Sequence, residues 1–333
     1  MSLLMWLFLL LQLVFASPGL ARVAPELTLA PESDAGLVVP TPAGGWWPED
    51  GLYVRVWSAP QDVGAAKELA RYANISAPAL AGKLELPLGS QIDVYIAPTQ
   101  EDFVEAQPGQ PPDWADGTAW PRFGLVFLRS PGLRGPSPQP LTQVLDHELI
   151  HIILGRAFAG RPVPRWLQEG VAEVYSGEVG ATRAREVLRT LSAAERFPLD
   201  QLGRGFPQDA VGAKVAYAQS VDLVLFLHQN YGPESLSRLT RAALGGAGFA
   251  ESLLVATGED LGSLDRAWAS RWESPWRRLF LLADANLLFL IVGVLAVVGL
   301  FRIRLRTRRK LARWEAEERR GAVRELFLHP QVH

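Results

Sequence analysis

The sequence predicts an α+β protein with three parts: a small N-terminal mixed sheet with helices, a mostly helical C-terminal half, and one C-terminal transmembrane helix. Three observations lead there. Short runs of alternating apolar residues occur before residue 130. Helical spacing is nearly unbroken from Leu141 onward. Residues 279–301 (LFLLADANLLFLIVGVLAVVGLF) are interrupted only by Asp284 and Asn286, and about 20 apolar residues span a bilayer as a helix.

In chain order, residues 3–16 (LLMWLFLLLQLVFA) are followed by small residues. Residues 1–21 therefore read as a signal peptide cut after Ala16 or Ala21, or as an uncleaved anchor. Residues 22–50 are rich in Pro, Gly and Ala and form an extended segment. The globular region is expected over 51–276. Within it, Tyr53–Trp57 (YVRVW) alternates like a strand, Gln61–Tyr72 has helical spacing, and Ala77–Leu84 forms a second short helix. Ile92–Ile96 is a second strand, and Thr99–Ala106 a short helix opened by a capping Thr. A Pro-rich loop runs to Gly117, Phe123–Leu128 (FGLVFL) is a third strand, and a further loop runs to Pro140. Helices follow near 141–157, 164–176, 181–193, 211–230, 233–244, 249–256 and 260–273.

Charge sets the expected topology. Residues 302–333 carry ten Arg and Lys against four Glu, a net +6; the remainder carries 23 basic and 31 acidic groups, a net −8. Seven cations lie between Arg302 and Arg313 (RIRLRTRRKLAR). Such clusters stay on the cytoplasmic side, and Trp272 and Trp276 suit the opposite interface. Arg277 and Arg278 on that side are outnumbered. Residues 22–276 are thus expected outside the membrane, after a single C-terminal span at 279–301, with a basic cytoplasmic tail at 302–333. A mildly acidic body argues against nucleic acid as a partner. The absence of cysteine excludes disulfides, thiolate ligands, cysteine nucleophiles and anchoring through a lipidated N-terminal cysteine.

Chemistry concentrates in residues 144–175. The segment VLDHELIHIILG contains His147-Glu148-x-x-His151. On a helix, residues four apart share a face one turn apart, so both imidazoles can reach one cation. Glu148 lies about 100° round the helix, where it can act as general base toward a water on the metal without ligating the metal. Apolar flanks (Val144, Leu145, Ile150, Ile152, Ile153, Leu154) bury this helix, and ionisable groups there are costly unless paired or ligated. A three-ligand zinc site needs one further donor and an open position. Pro164 suits a helix start, and PRWLQEGVAEVY places Glu169 on the following helix, among the apolar residues Trp166, Leu167, Val171, Ala172 and Val174. Glu173, one turn on, is assigned to orient a ligating imidazole through its second N–H; Asp146 is another candidate for that task.

HELIH followed by PRWLQEGVAEVY resembles the gluzincin metallopeptidases, in particular the peptidase MA-like domain family. The matching elements are the HExxH helix and Trp166-Leu167-x-Glu169-Gly170-x-Ala172, with Tyr175 after them. The resemblance implies a zincin-like fold, with His147, His151 and Glu169 as Zn2+ ligands. Residues 215–235 (VAYAQSVDLVLFLHQNYGPES) look like the next helix of aminopeptidase-type gluzincins, where a tyrosine hydrogen-bonds the tetrahedral intermediate. Tyr217 stands in that place. Ser220 stands where those enzymes have Gly. A Gly-x-Met-Glu-Asn signature, which grips a free amino terminus, is absent from the strand region, so aminopeptidase activity is not implied.

The expected function is a membrane-anchored zinc metallopeptidase acting on peptide bonds of exported or membrane proteins. Glu148 takes a proton from water and delivers it to the leaving amine, and Tyr217 helps the metal to stabilise the oxyanion. Phe123–Leu128 is expected to serve as the edge strand along which a peptide or protein substrate lies, with the loop Asp113–Trp120 flanking it. Two other readings stand beside this one. One is a membrane-tethered, non-catalytic zinc-binding scaffold, in which Glu148 would have no task. The other is a zinc amidase acting on a cell-wall substrate.

Overall fold

The computed structural model describes residues 45–107, 111, 115–135, 139–177, 184, 187–188, 196–207, 209–272 and 285–328. The signal-peptide reading, most of the 22–50 segment, Trp276 and most of the predicted helix 181–193 lie outside them. The chain divides into two units, Met1–Glu273 and Ser274–His333.

In the first unit, five strands form a mixed sheet in the order β1-β2-β3-β5-β4. They are β1 (Trp47–Asp50), β2 (Val54–Ser58), β3 (Ile92–Ala97), β4 (Gly117–Trp120) and β5 (Leu125–Arg129). The three inner strands run parallel, and β1 and β4 close the edges antiparallel. Alternation is clear in β2 and β3: Val54, Val56, Ile92, Val94 and Ile96 face the main core, while Trp57, Tyr95 and Phe127 stack in one cross-strand row on the other face. That second face is covered in part by α2 (Gln100–Glu105), which buries Phe103 there. Thr99 caps α2 by accepting the Asp102 N–H at 3.1 Å.

Helix α1 (Val63–Leu84) is continuous where two helices were expected, and carries Pro78 inside. An internal proline costs about 3 kcal/mol. The stripe Leu69, Ala73, Ala77, Leu80 and Leu84 stays buried through the Pro78 turn. At about 1.5–3 kcal/mol for each buried leucine, that packing outweighs the interruption.

The helical half comprises α3 (Leu141–Ala157), α4 (Arg165–Ser176), α5 (Leu199–Arg204), α6 (Ala210–Tyr231), α7 (Ser235–Leu244), α8 (Phe249–Thr257) and α9 (Leu261–Trp272). Helix α3 is the central layer. It packs on β4 and β5 on one side and on α1, α4 and α7 on others, so Leu145, Leu149, Ile150, Ile152, Ile153 and Leu154 have no exposed surface. Helix α6 has 22 residues of mean hydropathy 1.4, enough by length and composition to cross a membrane; with 61% of it buried inside the fold it is a core helix. Trp268 of α9 secures it by donating to Asp222 at 2.9 Å.

In the second unit, α10 (Ala285–Leu328) is a single helix of 44 residues. It carries the apolar residues 285–301 and the basic run after them without a break, and its side chains from Val294 to Phe301 are largely exposed.

Candidate metal centre

Helix α3 presents His147 and His151 on one face, their Nε2 atoms 3.2 Å apart and their rings edge-on. Helix α4 brings Glu169 against them. Its Oε2 stands 3.3 Å from His147 Nε2 and 3.5 Å from His151 Nε2. The three donor atoms fall within 4.8 Å of one another, a grouping able to hold a metal ion. Ligands about 2.05 Å from a tetrahedral zinc ion lie about 3.3 Å from each other, and the observed separations scatter around that value. Glu169 is 1% exposed, and its Oε2 has no hydrogen-bond partner. A buried carboxylate oxygen in that condition is costly, and a cation bound by these two nitrogens and one oxygen resolves it. The donor set fits zinc.

Close packing of α4 on α6 delivers Glu169. Gly170 is the contact: a Cβ there would lie 2.4 Å from the Ser220 carbonyl oxygen of α6. The glycine after the ligand is therefore a steric requirement, and Ser220 itself is turned back to the Ala216 carbonyl at 2.8 Å. Tyr175 also ties the pair, its hydroxyl 3.3 Å from His228 Nε2.

Glu148 is buried on the side of α3 that meets β4. A Cβ on Gly117 would lie 2.9 Å from Glu148 Oε1 and 2.8 Å from Val144 Cγ1, so β4 runs against the glutamate through a residue without a side chain. Burial pushes the Glu148 carboxyl up from its ordinary value, against the pull of the two histidines. Burial alone would raise Glu169 as well, but Arg165 and the histidines hold it well below the usual carboxylate range. Burial pulls His147 down, yet its close approach to the Glu169 carboxylate and the charges of Glu148 and Glu173 prevail and push it up to about 9 in the metal-free protein.

Glu173 Oε1 stands 3.9 Å from His147 Nδ1, an ionic contact longer than a hydrogen bond. Asp146 turns away from the site and accepts the Tyr72 hydroxyl of α1 at 2.7 Å. Tyr217 of α6 is brought to the site: the charges of Glu169, Arg165, Glu173 and Glu148 all act on it, and burial with the neighbouring carboxylates raises its hydroxyl well above the ordinary value. Phe206 packs edge-on against its ring at 5.1 Å.

Two features differ from expectation. Phe123–Leu128 corresponds to β5, which is internal; the edge is β4, formed by Gly117–Trp120 within the expected loop. Four residues with no apolar alternation carry too little signal to read as a strand. The second is Arg165, whose Nη2 lies 2.7 Å from Glu169 Oε1. Its sequence signal was the spacing of four from Glu169.

A family model for the peptidase MA superfamily matches residues 77–273. The chain belongs to the peptidase MA superfamily. This superfamily member has structural neighbours in native yeast LTA4 hydrolase (14% identity, 67% of this chain and 38% of that chain, TM-score 0.39). Leukotriene A4 hydrolase from Saccharomyces cerevisiae in a second native structure (12% identity, 61% and 33%, TM-score 0.37) and the yeast enzyme in complex with bestatin (12% identity, 72% and 38%, TM-score 0.37) are similar. The chain thus spans between a third and two fifths of the length of these neighbours. A comparison with curated protein sequences finds no match.

Proposed function

We propose that this peptidase MA superfamily member is a membrane-anchored zinc metallopeptidase that hydrolyses peptide bonds of exported or membrane proteins. The observation that carries the reading is the convergence of His147, His151 and Glu169, with the carboxylate of Glu148 buried beside them under the free edge of the sheet. A zinc ion held by the three donors supplies Lewis acidity, polarising a carbonyl and making water a nucleophile near neutral pH. Glu148 takes the proton from the attacking water and passes it to the leaving amine. The Tyr217 hydroxyl stays protonated through ordinary pH and donates a hydrogen bond toward the developing oxyanion. Among the described residues strand β4 has its outer edge unpaired, so an extended substrate backbone adds there as a further strand, with Gly117 keeping it close to Glu148. Glu173 orients the His147 ring.

Membrane anchoring rests on the apolar run 279–301 and the seven cations that follow it. The metal centre then faces the extracytoplasmic side, and Arg302–His333 the cytoplasm. The amidase reading shares this machinery and differs in substrate; a scaffold has no use for a buried general base.

The deciding experiment compares wild type with Glu148→Gln on a protein and peptide digestion panel, with zinc measured by elemental analysis. Wild type should carry one zinc and lose its hydrolysis to a chelator. Glu148→Gln should keep the metal and lose about 10²–10⁴-fold in turnover. Undiminished hydrolysis by Glu148→Gln would end this reading.

A further inference from the structure

The Glu169 carboxylate uses its two oxygens differently. Oε2 faces both imidazoles, whereas Oε1 is ion-paired with Arg165 Nη2 at 2.7 Å. Arg165 is the first residue of α4, one turn before Glu169. Its guanidinium lies 6.0 Å from the Phe206 ring, the same ring that packs edge-on against Tyr217 of α6 at 5.1 Å. One side chain therefore joins the third donor of the metal centre to the Phe206 ring on which Tyr217 packs.

Helix stability does not account for Arg165. A cation at a helix N-terminus opposes the helix dipole, and an Arg placed N-terminal to its Glu is the less favourable order for a pair four apart. A solvated surface pair is excluded by Glu169, which is 1% exposed although the Arg165 side chain is 45% exposed. The contact is a close ion pair to a buried carboxylate, and its geometric effect falls on that carboxylate. With Oε1 held, the group cannot rotate about its last bond, and Oε2 is the oxygen left facing the histidines.

We propose that Arg165 is a positioning residue of the metal centre, fixing Glu169 through its outer oxygen. The inference rests on the metal-site reading above. It predicts that Arg165 sets metal affinity and ligand geometry without being a ligand. A lysine retains the charge but lacks the planar guanidinium that holds an acceptor in a fixed direction.

The test uses the full-length chain purified in detergent, as wild type, Arg165→Ala and Arg165→Lys. Zinc affinity is measured by chelator competition, the visible spectrum is recorded after loading with cobalt(II), and a thermal melt of each metal-free protein checks folding. Arg165→Ala should bind zinc about 10–100-fold more weakly, the usual effect of losing a partner that orients a ligand, and should change the cobalt spectrum. Arg165→Lys should recover part of the affinity. Wild-type affinity and an unchanged cobalt spectrum in folded Arg165→Ala or Arg165→Lys would overturn the proposal and leave the metal site standing. A wild-type chain that takes up no stoichiometric zinc would overturn both.

Discussion

At the scale of single residues, the site is a set of charges whose burial makes each depend on the others. His147 shows this in its proton affinity. Its folded value of about 9 lies above the ordinary 6.5, so in the metal-free protein it contributes stability that is fully present below about pH 6.5 and is lost as pH rises through about 9. Glu169 is shifted the other way; its contribution is present above the ordinary carboxylate range and is lost as pH falls through its depressed value. Thermal melts in chelator should therefore show wild type losing its advantage over His147→Asn between about pH 6.5 and 9. Equal pH slopes for the two proteins would contradict the pairing. Zinc must displace the same proton, so metal binding should release protons in that window. Tyr217 is tested by kinetics. Removing one hydrogen-bond donor from an oxyanion costs about 10²–10³ in kcat, so Tyr217→Phe should lower kcat by about that much with KM little changed. An unchanged kcat would return Tyr217 to a packing role against Phe206.

At the scale of elements, two glycines determine how closely the site is assembled. Gly170 lets α4 lie on α6. Alanine there would place Cβ 2.4 Å from the Ser220 carbonyl oxygen and 2.8 Å from Val224 Cγ2, and a backbone atom cannot move aside alone. Overpacking of this kind costs about 1–3 kcal/mol or more. Gly170→Ala should show that loss in a urea titration, together with weaker zinc binding as Glu169 is pushed off the histidines; a variant as stable as wild type would contradict the close approach. Gly117 bears on chemistry as well as packing, because its neighbours are Val144 and Glu148. Gly117→Val should leave zinc content unchanged and reduce turnover by about 100-fold, the effect of an ångström's misplacement near the reacting groups. Full activity in that variant would remove β4 from the substrate cleft. The elements bearing the site were read from sequence with good boundaries: 141–157 and 164–176 against the observed Leu141–Ala157 and Arg165–Ser176. Their periodicity is long and their ends are marked by Pro140 and Pro164. Strand β4 escaped because a short edge strand is defined by its neighbour's hydrogen bonds, not by its own pattern.

At the scale of the whole molecule, the central question is which compartment the metal centre meets. The proposed orientation puts residues 22–276 outside and the tail inside. Protease added to intact cells, or to spheroplasts where an outer membrane blocks access, should degrade the metal-binding unit and spare a tag placed after His333. A protected unit with an accessible tag would reverse the orientation and the substrate pool with it. Helix α6 shows why apolar length alone does not settle such questions. By composition it could span a bilayer, yet it is wrapped by α4, α7, α8 and the Trp268–Asp222 contact. The run at 279–301 is distinguished by the cations beyond it, which no buried helix among the described residues carries.

What the sequence by itself determined was local: the donors, their spacing along α3 and α4, and the apolar faces that bury those helices. Each is a relation between residues a few positions apart, governed by helix geometry, and needs no knowledge of the rest of the chain. Only the tertiary structure decided which strand lies over Glu148, that Asp146 serves Tyr72 instead of a histidine, and that Arg165 stands against the outer oxygen of Glu169. The first two relations join segments tens of residues apart. They depend on how closely two backbones approach at Gly117 and Gly170, and on which neighbour a buried charge finds when water is no longer available to it.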